Sequence, residues 1–328
     1  MVRLIIPLYL PSLEGFFEDG LRLFERTLAS IEATGSERVR TTVIDNGCTP
    51  EVAAALDAHL LNGRIDQVVR NSFNRGRIDP ITAELKATFE PIAVVADADV
   101  AFRSGWVDSL LAGFTAFPEC GLLSLHPAPD LRWLVSTSVL AGAPTSRARI
   151  VRAPVLDRAD AERFAGSIGR PATEQPAAGQ LVVVRGENAL MLGFSHFAFA
   201  IRREATADLP QQPTLLRRSG VGLEETIDGA GWWCASVLTA LVHHMGNVLD
   251  DEEHRRIEAF QATEMADLPA PLGPPRQSQI SRRLPPLARR ALAFAARSIY
   301  GRPRVNDVVF PEREILKEPS SAVRVVSK

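Results

Sequence analysis

The stretch Pro91-Ile92-Ala93-Val94-Val95-Ala96-Asp97-Ala98-Asp99-Val100 decides how the rest of the chain is read. A short apolar run is read as a buried strand, and this one ends in two carboxylates one residue apart. In an extended chain, residues i and i+2 point the same way. Asp97 and Asp99 are therefore expected to project together beyond the strand's C-terminal end, the edge where open α/β sheets bind ligands. Two hard oxygen donors there suit Mg²⁺ or Mn²⁺ shared with substrate phosphates. The alternative is a surface turn with two solvated acids, so the flanking sequence has to choose.

Upstream, Val2–Leu8 reads as a first strand closed by Pro7 and Pro11. Gly20–Thr34 follows, with Leu21, Phe24, Leu28 and Ile31 at helical spacing and Gly35 to end it. Residues 40–44 form a second strand running into Asp45-Asn46-Gly47. Thr49-Pro50-Glu51 opens a helix with a hydroxyl cap and a first-turn proline, carrying Val52, Leu56 and Leu60. Residues 67–70 are a brief third strand before the polar loop Asn71-Ser72-Phe73-Asn74-Arg75-Gly76-Arg77. Asp79-Pro80 opens a helix with Ile81, Leu85 and Phe89. Downstream of the acidic pair, residues 104–117 carry Trp106, Leu110 and Phe114 on one helical face. Four strand–helix alternations predict an α/β protein with a doubly wound, mostly parallel sheet and helices on both faces.

No glycine-rich turn follows the first strand, where the chain reads Pro7-Leu8-Tyr9-Leu10-Pro11-Ser12. That excludes a dinucleotide fingerprint and a P-loop, and with them the glycine-rich basic loop expected of a sugar-activating nucleotidyltransferase. The 328 residues are 46% hydrophobic and 23% charged, an ordinary globular balance. A formal net charge of −2 gives no reason to expect nucleic acid as a partner. Cys48, Cys120 and Cys234 are far apart and match no metal spacing, so no disulfide framework is implied and a reducing compartment is favoured. The N-terminal apolar run is too brief for a signal peptide, and no stretch reaches the length of a membrane span. A cytoplasmic protein is expected.

Residues 121–125 and 181–184 look like strands. The span 127–180, rich in Pro, Ala, Arg and Ser, is expected to be irregular with short helical pieces. Order is expected again at 193–201, and residues 231–241 read as an apolar helix. From Arg276 to Arg304 there are eight arginines and no acid, with Leu284, Leu287, Ala291, Leu292 and Ala295 interleaved. Such a segment either lies on an anionic membrane surface or forms a helix covering the domain with its arginines to solvent. Pro285 and Pro286 restrict any helix to about residues 287–300.

Taken in order, these features resemble a GT-A-fold glycosyltransferase of the broad family 2 type over about residues 2–250. They are the Pro-bearing first strand, Asp-Asn-Gly, Asn-Arg-Gly, the Asp97-Ala98-Asp99 strand, Phe199-Ala200-Ile201-Arg202-Arg203-Glu204, Glu224-Glu225-Thr226-Ile227-Asp228 and a late histidine. The resemblance implies a nucleotide-sugar site on 1–125, an acceptor half of the same domain on 126–250, and a basic extension over 251–328. On the donor side it places Pro7, Asp45 (accepting from the base), Asn71, Asn74, Arg77 and Asp97. It implies Mn²⁺ or Mg²⁺ held by Asp97, Asp99 and a histidine, either His244 or His243. It also implies a base at the second acid of the helix-start pair, Glu225, or at Asp228 on the same helical face; the family usually carries Glu-Asp here, so Glu-Glu leaves the base open. Trp232 and Trp233 either stack on an acceptor sugar or pack as core. The implied activity is sugar transfer from a nucleotide donor, UDP-linked by expectation, to a hydroxyl of a glycan or lipid-linked acceptor, with inversion, in cell-envelope or polysaccharide synthesis. The rivals are a catalytically silent nucleotide-sugar-binding or scaffolding protein, and a retaining transferase on the same fold. Peripheral contact with the inner membrane face through the basic segment would suit a lipid-linked acceptor.

Overall fold

The computed structural model describes residues 1–35, 37–127, 136–169, 179–209, 223–249, 251–262 and 285–300. The first half follows the predicted alternation: β1 (Val2–Leu8), α1 (Gly20–Thr34), β2 (Val39–Asn46), α2 (Pro50–Leu61), β3 (Gln67–Asn71), α3 (Ile78–Ala87), β4 (Ile92–Ala96), β5 (Val100–Phe102) and α4 (Trp106–Ala116). The second half adds β6 (Cys120–Ser124), α5 (Thr137–Gly142), β7 (Arg149–Ala153), α6 (Arg158–Ser167), β8 (Gln180–Arg185), β9 (Asn188–Met191), β10 (Ala198–Arg202), α7 (Arg203–Thr206) and α8 (Leu223–Gly229). It closes with β11 (Trp233–Ser236), β12 (Val242–His244), α9 (Asp251–Ala262) and α10 (Pro286–Tyr300). Between residues 127 and 179 the described residues thus hold two α-helices, one 3₁₀ turn (Pro144–Ser146) and one strand.

One ten-stranded sheet runs β3-β2-β1-β4-β10-β6-β11-β9-β8-β7. β3, β2, β1 and β4 are parallel. β10 is inserted antiparallel between β4 and β6, so strands from both halves of the chain share one sheet. β11 lies parallel to β6, and β9, β8 and β7 continue antiparallel.

Helices cover both faces because successive strand side chains point to opposite sides. Leu4, Ile6, Val43 and Val94 pack with Phe24 and Leu28 of α1, Val52 and Leu56 of α2, and Trp106 and Leu110 of α4. Their neighbours Ile5, Ile44 and Val95 pack with Ile81 and Leu85 of α3 and Leu223 and Ile227 of α8. Each such aliphatic side chain contributes about 1.5–3 kcal/mol when fully buried, so the double layer holds the strand ends rigidly. The Thr49 hydroxyl caps α2 by accepting from Val52 N at 3.3 Å, with Pro50 in the first turn.

Two expectations are corrected. Residues 231–241 are not a helix: Trp233–Ser236 is a central strand, and the chain then turns towards β12. The arginines of the C-terminal helix do not all face solvent either. Arg289 of α10 donates to Asp228 Oδ2 at 2.5 Å and to the Thr137 hydroxyl at 3.2 Å. A Cβ on Gly229 would lie 2.6 Å from the Arg289 guanidinium, so the glycine gives it room. Residues 263–284 and 301–328 of the basic extension lie outside the described residues. Among the described residues no helix is long and apolar enough to cross a membrane.

Asp228 is fully buried, and its partners are Arg289, the Thr137 hydroxyl and Ser138 N at 2.8 Å. Removing one member of such a pair leaves the other charge buried and uncompensated. Arg289→Ala is therefore expected to lower unfolding free energy by about 3 kcal/mol, read by urea denaturation. Arg289→Met combined with Asp228→Asn should cost less than Arg289→Ala alone; equal or larger loss would mean the ion pair is not what holds α10.

Candidate functional site

The C-terminal ends of β1, β2 and β4 form one edge, and the acidic residues gather there. Asp45 is paired in register with Leu8. It is buried, and its Oδ1 accepts from Cys48 N at 2.9 Å while Arg70 Nε stands 3.5 Å from Oδ2. Pro7 lies beside it in β1, opposite Ile44.

Asn46, which the sequence reading did not single out, organises the following loop. Its Nδ2 donates to Asn74 Oδ1 at 3.0 Å and to Gly76 O at 2.9 Å. Its Oδ1 accepts from Asn71 Nδ2 at 3.2 Å and from Arg75 N at 3.1 Å. Asn74 Oδ1 also accepts from Gly76 N at 2.8 Å. These atoms of Asn71 and Asn74, expected to line the donor, thus shape the loop itself. Gly47 completes the packing at φ 85°, a backbone region that favours glycine; a Cβ there would lie 2.9 Å from the Phe73 carbonyl carbon. The loop delivers Arg77, whose Nη2 donates to Asp97 Oδ1 at 2.6 Å and to His196 O at 2.7 Å.

Asp97 and Asp99 are not in an extended strand. β4 stops at Ala96, and residues 97–99 turn before β5. The turn is pinned by α1: the Thr27 hydroxyl donates to Ala98 O at 2.8 Å and accepts from Val100 N at 3.1 Å. On its other side β12 pairs with β5, placing His244 opposite Val100, and Met245 N donates to Asp99 O at 2.8 Å. His244 Nε2 consequently stands 3.5 Å from Asp99 Oδ2. Asp99 Oδ1 is buried and has no hydrogen-bond partner among the described residues. Burial pushes the Asp99 carboxyl above the usual carboxylate range, Asp97 adds to this, and His244 pulls the other way. A buried carboxylate oxygen without a donor, beside an imidazole nitrogen, is a donor set that fits a divalent cation.

His243 points elsewhere, with Nε2 2.5 Å from Glu253 Oε1 on α9. The two neighbouring histidines therefore have separate surroundings, and of the pair His244 is the one beside Asp99. Among the described residues no three His, Cys, Asp or Glu side chains converge as a closed metal cage. Asp97, expected as a ligand alongside Asp99, is engaged by Arg77.

α8 presents its acids on different sides. Glu224 is buried with Oε1 3.3 Å from His196 Nδ1. Glu225 is half-buried. Asp228 faces α5 and α10 in the network described above, and burial raises its carboxyl despite Thr137, Ser138 and Arg289; it is enclosed by structural partners rather than presented to a reacting group. Of the two alternatives for Trp232 and Trp233, acceptor stacking or core packing, their burial at 3% and 0% exposure matches core packing. Trp232 packs on Gly121, where a Cβ would lie 2.6 Å from it, and its Nε1 donates to Asp208 Oδ2 at 3.1 Å. Trp233 belongs to a central strand and meets Phe117.

A scan against known families finds no match, and neither does a search of curated proteins. The solved structures to which this chain is similar match it at low identity. The mannosyltransferase PcManGT from Pyrobaculum calidifontis, in complex with GDP-Man and Mn²⁺, aligns over 96% of this chain and 78% of its own at 16% identity and TM-score 0.43. GalNAc-T7 with UDP, GalNAc and Mn²⁺ aligns over 74% of this chain and 43% of its own at 16% identity and TM-score 0.45. S. aureus TarS 1-349 in complex with UDP-GlcNAc aligns over 44% of each chain at 15% identity and TM-score 0.32. The chain spans less than half the length of the TarS chains that head these matches.

Asn46→Ala removes the side chain on which loop 71–77 converges. Hydrogen exchange is expected to accelerate there while β2 and β4 keep their protection. Unchanged exchange in the loop would show that other contacts shape it.

Proposed function

We propose that the chain is a glycosyltransferase that moves a sugar from a nucleotide-sugar donor, UDP-linked by expectation, to a hydroxyl of a glycan or lipid-linked acceptor. The observation that carries this reading is the meeting of Asp99 and His244 at the strand-end edge, beside Arg77 and Asp97. The donor side is residues 1–125 and the acceptor side 126–250. Asp45 and the Asn71–Arg77 loop border the nucleotide, and Arg77 places positive charge near the diphosphate while holding Asp97. Asp99 and His244 would hold Mn²⁺ or Mg²⁺, which when bound neutralises charge on the leaving diphosphate.

The half-buried Glu225 is the base in this reading, since Asp228 is enclosed. Its carboxylate takes the acceptor hydroxyl proton as that oxygen bonds to the anomeric carbon. The bond from that carbon to the diphosphate breaks in the same displacement, and the configuration inverts. Membrane contact would use the outer face of α10, where Leu287 and Phe294 are 78% and 73% exposed, seven residues apart, with Arg290 exposed between them.

A hydrolysis screen of nucleotide sugars with Mn²⁺ or Mg²⁺ tests this without a known acceptor. Asp99→Asn and His244→Ala should each reduce donor hydrolysis at least about 100-fold, as expected when charge stabilisation in the site is lost. In transfer assays Glu225→Gln should lower turnover by about 10²–10⁴-fold with donor affinity retained. Donor binding with no turnover under any condition would favour the silent binding protein, and retained configuration in the product would overturn the inverting step.

A further inference from the structure

The end of α6 meets β12 at a single imidazole. Ser167, the last residue of α6, stands with Oγ 3.0 Å from His244 Nδ1. The same hydroxyl donates to Phe164 O at 2.8 Å. A serine hydroxyl has one hydrogen and two acceptor lone pairs. A backbone carbonyl cannot donate, so the bond to Phe164 O, the shorter of the two, uses the hydroxyl hydrogen and leaves Oγ to His244 as an acceptor. The hydrogen between Ser167 and His244 then belongs to Nδ1 of the imidazole. A neutral ring protonated at Nδ1 has its lone pair at Nε2, the atom 3.5 Å from Asp99.

Packing holds this orientation. The rings of Phe164 and Phe197 stand edge-on to the His244 ring at 6.0 and 5.2 Å between centroids. The chain leaving β12 runs against the end of α6 so closely that a Cβ on Gly246, itself at φ 79°, would lie 2.8 Å from Ser167 O. The helix end, the aromatic pair and the strand therefore form one unit around a single imidazole.

We propose that Ser167 is a positioning residue that fixes His244 as the Nδ1-protonated tautomer, so that Nε2 is presented with Asp99 as a donor to a divalent cation. The proposal rests on the cation reading above and assigns a task to a segment outside the strand-end edge. Hydrogen-bond partners of ligating histidines orient the ring and raise its basicity, and losing them costs about 10–100-fold in metal affinity.

Two measurements test it on the full chain. The first is the ¹⁵N spectrum of histidine-labelled, metal-free protein, in which six imidazoles must be assigned. Wild type is expected to show His244 protonated at Nδ1. Ser167→Ala should shift it towards the Nε2-protonated form, and Ser167→Thr, which keeps the hydroxyl, should restore it. The second is Mn²⁺ binding followed by electron paramagnetic resonance with UDP present. Ser167→Ala should weaken binding about 10-fold or more, Ser167→Thr should bind nearly as wild type, and Asp99→Ala should bind far more weakly than either. A His244 tautomer unchanged by Ser167→Ala would overturn the proposal, as would equal Mn²⁺ affinity in wild type and Ser167→Ala. Absence of Mn²⁺ binding by wild type with the tautomer shift intact would instead sink the cation reading and, with it, the purpose assigned to Ser167, while leaving the tautomer assignment standing.

Discussion

The short ladder between Val100–Phe102 and Val242–His244 is the constraint on which the candidate site depends. It brings a turn from the first half of the chain against a histidine almost 150 positions later. Two further bonds make the join specific: Met245 N to Asp99 O, and the Thr27 hydroxyl bridging Ala98 O and Val100 N. Because α1 is anchored in the core through Phe24 and Leu28, the turn inherits the rigidity of the main sheet. In the proposed reading, a cation would meet Asp99 and His244 already held in place, without first having to order them.

The acids near the edge illustrate how burial sorts chemically identical groups. Asp97 is taken up by Arg77, Asp228 by Arg289 with Thr137 and Ser138, and Asp45 by the turn at Cys48. Asp99 Oδ1 is the oxygen in this set that is buried and lacks a donor among the described residues. A carboxylate in that condition either takes up a proton or acquires a cation. The adjacent imidazole, with Nε2 3.5 Å from Oδ2, opposes the upward push that burial gives this carboxyl.

Much of the first half was legible in the sequence because amphipathic helices alternate with short apolar strands; Phe24, Leu28, Val52, Leu56, Ile81 and Leu85 all lie inward as their spacing predicts. The tryptophan segment was misread for a physical reason. A strand buried on both faces lacks the apolar–polar alternation of a half-exposed one, so periodicity cannot separate it from a buried helix, and Trp233–Ser236, buried at all four positions, is such a strand. The Asp97-Ala98-Asp99 turn was read as extended because nothing in those three residues marks the end of β4; the marks are Thr27 and Met245, far away in sequence. Asn46 could have been noticed, since an asparagine at a strand end facing an Asn- and Gly-rich loop is suited to satisfy several backbone groups at once. Ser167 and Arg289 carried no signal, one in a span of low regularity and the other among many arginines, and only the folded chain shows their partners.

The most direct measurement is anomalous diffraction from crystals soaked with Mn²⁺ and UDP. The expected result is a manganese peak within bonding distance of the Asp99 carboxylate and His244 Nε2, with diphosphate oxygens completing its shell. Ordered diphosphate with the peak elsewhere, or with Asp99 and His244 in contact with neither, would contradict the account at its centre.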